Sequence, residues 1–261
     1  MISDQRTGPS VQKTLGLVLL TVTASVLLAL GIIQALTPEM RDLIRAGSGP
    51  LWLSVRVALL ATLLAGLAGI ACGYGLAKGG FPGRDLMEAI GSLPIILPPT
   101  VLGYYLLKHL NKGTAAGRTL EQILGGRVVF GFRGIVLVAA IAGFPFVLRA
   151  SRAAIAGVDQ RLEQAARAMG MPEWQVALRV TLPAARRGLA VGLTLAWARA
   201  VGEFGATLMV GGDMARHTRT MAVSLNDART PAQIHALIIL MSALAFGAMI
   251  SLVRLERGRA G

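Results

Sequence analysis

Two ionisable side chains, Arg199 and Glu203, stand inside an otherwise apolar block at 188–210. A charge at mid-bilayer costs at least about 2.5–3.5 kcal/mol on insertion scales, so such residues face protein or water. Four residues apart, they share one face of a helix and can pair. The Arg-before-Glu order is the weaker helical arrangement, which favours partners on other helices. Two roles stay open: Arg199 and Glu203 face a conduction path or gate, or they form a structural ion pair. Gly202 and Gly205 flank Glu203 and permit close helix approach, and Phe204 completes this candidate gate segment. An acid or base role for Glu203 would need a second catalytic group at membrane depth. Only Arg199 is at hand, and the chain has neither a G-x-S-x-G nor an HExxH motif.

Other reactive residue types offer less. Cys72 is the only cysteine and sits in an apolar block, where a small buried hydrophobe is expected. His109, His217 and His235 lie far apart, without metal-site spacing. No Gly-Lys dipeptide occurs, so there is no phosphate-cradling P-loop, and Gly113 to Thr119 only superficially resembles one. No cofactor is expected in this chain, and any ATP must be hydrolysed elsewhere.

The elements that would carry these residues are membrane helices. Of 261 residues, 54% are hydrophobic and only 15% charged, against roughly 25% charged in a soluble domain. A bilayer-spanning helix needs about 20 apolar residues. Apolar blocks of that kind occur at 14–37, 57–77, 89–107, 134–148, 188–210 and 234–253. The expectation is an all-α membrane protein with six transmembrane helices, the fourth short unless 128–132 extends it. The third block carries Pro94, Pro98 and Pro99, so it should be kinked or interrupted where backbone lines a cavity. The first block is longer than a signal-peptide core and is read as retained. The net charge of +13 lies largely between the blocks, as the positive-inside rule places it, and its distribution favours both termini inside. No aromatic-rich basic patch accompanies it, so nucleic acid is not expected as a partner.

The longest polar connection, 149–187, reads as a helix over 159–169, a stop at Gly170, and a second helix from Pro172 toward Val180, ended by Leu182-Pro183. Gln164-Ala165-Ala166, then Gly170 with nine residues between it and Val180, and then Leu182-Pro183 resemble the "EAA" loop of ABC importer permeases. Gln164 replaces the family's Glu, and Val180 its Ile. The resemblance implies a type I ABC importer permease fold, with the loop as a cytoplasmic coupling elbow on a separate ATPase. A surface amphipathic helix is the bland alternative.

Phe81-Pro82-Gly83-Arg84 and the run Leu93 to Leu107, with Leu97-Pro98-Pro99, resemble molybdate permeases. Ala198 to Thr207 resembles a stretch shared by molybdate, tungstate and sulfate/thiosulfate permeases. The likeness covers about 51–257, leaving 1–50 as tail, first helix and outer loop. It implies a multi-pass inner-membrane importer subunit for molybdate, with sulfate/thiosulfate or tungstate as alternatives. The implied partners are a second permease copy, an ATPase dimer holding ATP and Mg, an outer oxyanion-binding protein, and membrane lipid. The outer loop 108–133 is basic; it attracts an anion or a binding-protein lobe, or is merely solvated. An ATP-independent transporter would show inverted repeats, and none is visible.

Overall fold

The computed structural model describes residues 48–214, 217–226, 228 and 231–257, and every regular element among them is helical. The expected first span at 14–37 lies outside the described residues. The elements are α1 (Ser48–Lys78), α2 (Arg84–Ile96), α3 (Pro99–Leu110), α4 (Ala115–Leu124), α5 (Phe132–Ala156), α6 (Gln160–Ala168), α7 (Glu173–Val176), a π-helical turn (Ala177–Thr181), α8 (Leu182–Val201), α9 (Gly205–Gly211), α10 (Met221–Asn226) and α11 (Pro231–Arg257).

By length and composition, α1 and α5 can each cross a membrane, while α2 and α3 together qualify as one broken span. The sequence predicts five spans over this region; the 89–107 block is interrupted as its prolines lead one to expect, and the 188–210 block is interrupted where no break is expected. In the 89–107 block, the chain bends by 110° between α2 and α3. Pro98, N-terminal to α3, has no N–H to donate, and Leu97 before it is extended (φ −71°, ψ 133°), as a residue preceding proline prefers. Pro94 is accommodated inside α2 without a break. The 188–210 block is also not one helix: α8 stops at Val201 and α9 starts at Gly205. The fourth block is lengthened not by 128–132 but at its other end, running past Arg149 and Arg152 to Ala156.

α5 is the central element, packed along α1 and α8, with α11 against α8. The core joins Leu51, Val55, Ala58 and Ala61 of α1 to Ile135, Val136 and Ala139 of α5, Trp197 and Val201 of α8, and Leu240 and Leu244 of α11. Small residues let these helices approach closely, as membrane bundles require. A Cβ on Gly69 would stand 2.8 Å from Val147 Cβ. The outward faces of α1 and α2 are apolar, with Leu63, Leu67, Leu86, Ile90 and Ile96 all exposed. Cys72 lies on that outward surface of α1, so it is not the buried hydrophobe expected from its apolar neighbours.

Candidate functional site

Two constructions stand out: an elbow at one end of the bundle, and a pair of abutting helix breaks within it. In the elbow, Asp159 begins α6 by accepting the N–H of Arg161 at 2.9 Å, a standard use of Asp at a helix start. α6 ends at Ala168, and after Met169 Gly170 turns the chain at φ +81°, a left-handed conformation that only glycine adopts without penalty. The N–H groups of Gly170 and Met171 then bond Arg167 O and Ala166 O, satisfying carbonyls at the helix end. Across the corner, Arg167 donates to both carboxylate oxygens of Glu173, at 2.6 and 3.1 Å. The hydrogen bond from Arg167 holds the Glu173 carboxyl below its usual range.

Past the corner, the sequence expectation needs correction. Pro172 precedes the second helix instead of opening it, and Leu182-Pro183 does not end one. The path stays helical from α7 through the π turn into α8. Pro183 falls in the first turn of α8, where its missing N–H goes unused. Arg186 and Arg187, expected in a loop, therefore belong to a core helix. Gln164 and Ala165 are exposed, Ala166 is buried, and Leu162, Met169, Trp174 and Leu178 present apolar side chains to the outside.

The sequence reading missed the anchor beneath this elbow. Glu163, buried beside Gln164, accepts from Lys78 Nζ at 2.7 Å and from Thr181 Oγ1 at 2.7 Å. Burial pushes its carboxyl upward, but the bonds from Lys78 and Thr181 and the charges of Lys78 and Arg167 outweigh this and hold it below the usual range. A carboxylate on the inner side of an otherwise amphipathic helix was the available signal, since Glu is almost never fully buried unless paired.

The second construction brings the two broken spans together. α9 packs on α3. A Cβ on Gly205 would lie 3.1 Å from Pro99 Cβ, and one on Gly103 would lie 2.7 Å from Ala206 Cα. Gly205 thus serves close approach as expected. Gly202 does not, for a Cβ there would meet only the carbonyl of Ala198 in its own helix, at 3.7 Å. Arg199 and Glu203 form their ion pair with each other: Arg199 Nη1 is 2.5 Å from Glu203 Oε2, without hydrogen-bond alignment. The unfavourable helical order does not apply, because α8 has ended before Glu203. Glu203 is buried and Phe204 exposed at 38%.

Residues 65–260 match the family described as "binding-protein-dependent transport system inner membrane component". The chain belongs to this family. Among its relatives is the molybdenum transport system permease protein ModB of Escherichia coli K12, 38% identical over 216 residues, covering 80% of this chain and 94% of that protein. The ModB protein of Haemophilus influenzae is 36% identical, over 66% of this chain and 76% of its own length. A solved chain of the MetNI methionine ABC transporter, in an inward-facing conformation, superposes with a TM-score of 0.63. It covers 85% of this chain and 99% of the solved one at 17% identity, which speaks for the fold alone. As an inner membrane component of a transport system, the chain is a transport subunit.

Proposed function

We propose that this chain is the permease subunit of an ATP-driven importer and forms the translocation path for molybdate. The elbow carries the reading. A fixed left-handed corner, braced by the Arg167–Glu173 pair, holds four apolar side chains outward at the end of the bundle, and exposed apolar surface of this kind favours a protein partner. That partner is an ATPase dimer on the cytoplasmic side, holding ATP and Mg. Gln164, Ala165, Ala166, Gly170, Leu182 and Pro183 shape the docking element, and both chain termini lie on the same side of the membrane. The named relatives supply the substrate class.

Two copies of the chain line one path, and an oxyanion-binding protein delivers substrate from outside. Closure of the ATPases moves the elbows, and the helices alternate between outward and inward access. Arg199, Gly202, Glu203 and Phe204, beside the kink at Pro98 and Pro99, form the gate where the two broken spans meet. Discontinuous membrane helices of this sort recur where backbone lines a substrate path.

Uptake of labelled molybdate by cells producing the complete transporter, challenged with excess unlabelled anion, tests the substrate. Molybdate and tungstate should compete strongly and sulfate weakly. Full suppression by sulfate at equal concentration would reassign the cargo.

A further inference from the structure

We propose that Lys78, Glu163 and Thr181 are the linkage by which the elbow moves the membrane helices, with Glu163 as the positioning residue. This rests on the importer reading above. The three residues belong to three different parts of the chain. Lys78 is the last residue of α1, Glu163 lies in α6 of the elbow, and Thr181 closes the π turn before α8. Lys78 Nζ stands 2.7 Å from each oxygen of Glu163, and Thr181 Oγ1 donates to Oε1 at 2.7 Å. Glu163 is 2% exposed and Thr181 fully buried.

Apart from this carboxylate, α6 is held by its chain connections to α5 and α7 and by packing of its inner face, where Ala166 is buried, against the π turn. Through the carboxylate, α6 is tied at one point to the ends of two long helices. Ile155 near the end of α5 and Val158 just beyond it pack with Ala185 and Leu189 of α8 and Tyr74 and Ala77 of α1. A displacement of the elbow therefore reaches α1 and α8 together. The node is costly to break from the lysine side, because removal of the Lys78 charge leaves the buried Glu163 carboxylate uncompensated, whereas Lys78 itself is partly exposed. It is also directional, since the two carboxylate oxygens fix the angle of α6 to both neighbours.

The test uses the complete transporter reconstituted in vesicles with its ATPase and binding protein, and measures ATP hydrolysis and molybdate uptake in parallel. Glu163→Gln, Lys78→Met and the near-isosteric Thr181→Val should still co-purify with the ATPase and hydrolyse ATP. Uptake per ATP should fall about tenfold in the two charge variants, within the usual range of coupling between sites, and less in Thr181→Val. Lys78→Arg, and the exchange Lys78→Glu with Glu163→Lys, should restore much of the ratio. Unchanged uptake per ATP in Glu163→Gln and Lys78→Met would overturn the proposal. So would loss of ATPase association in all three variants, with no recovery in the exchange, which marks a purely structural node. If the unaltered complex shows no ATP-driven uptake, the importer reading fails instead, whatever the variants do.

Discussion

Glu203 joins two helices with one carboxylate: Oε2 lies 2.5 Å from Arg199 Nη1 at the end of α8, and Oε1 accepts the N–H of Ala206 in the first turn of α9 at 2.9 Å. The positive side chain sits at a helix C-terminus and the negative one at a helix N-terminus, each in its favourable place. The pair closes the 202–204 break from both sides.

Glu203→Gln keeps an oxygen for the Ala206 N–H but strands Arg199. Removing one partner of a fully buried pair costs about 3–5 kcal/mol, and less where the partner left behind is partly exposed, as Arg199 is, whereas replacing both is often near neutral. Thermal unfolding in detergent should show Glu203→Gln markedly destabilised and Arg199→Met/Glu203→Gln largely recovered. A double variant as unstable as the single one would mean that the guanidinium, stranded or not, is not what the carboxylate stabilises.

Gly103 and Gly202 should differ sharply. Ala at 103 drives a methyl group to 2.7 Å from Ala206 Cα and 2.9 Å from Met209 Cβ, and such overpacking costs about 1–3 kcal/mol. Ala at 202 meets nothing nearer than 3.7 Å and should be neutral to within about 0.5 kcal/mol. Melting temperatures of the two variants, measured side by side, check the contrast.

Gly170 has open space around it, so its requirement is conformational only. A left-handed residue with a Cβ loses about 1–2 kcal/mol, and a β-branched one more. Gly170→Val should therefore reduce ATPase co-purification more than Gly170→Ala does, with the bundle's own melting little changed. Equal ATPase recovery from both would show that the corner does not set the docking geometry.

Glu163 predicts a pH dependence. Its folded-state pKa is depressed by Lys78 and Thr181, so the unfolded chain binds the proton more readily. The stabilisation is fully present above the ordinary carboxylate pKa, and is lost as pH falls from there through the depressed folded value. Melting temperature should drop over that acidic window, and Glu163→Gln should flatten that part of the profile.

The elbow and the proline break were the legible parts of the sequence, because each is punctuated locally. Gly170, Pro172 and Pro183 constrain their own backbone, as do Pro98 and Pro99, and the structure bends the chain at both places. The second break was not legible. No proline marks 202–204, and a run with α8's composition continues across it; the interruption follows from tertiary packing of Gly205 on Pro99 and from Glu203 serving as a cap. The Leu182-Pro183 misreading has a similar origin: proline stops a helix from its interior but opens one at the first turn, and the sequence does not say which turn it occupies. The Lys78–Glu163 node joins residues 85 apart, so no local pattern could announce it.

The account stands most directly on ATP-driven uptake. Vesicles containing the permease, the ATPase and the binding protein should accumulate labelled molybdate only when ATP reaches the ATPase side, and vesicles lacking the ATPase should not. Accumulation that persists in the absence of the ATPase would contradict it.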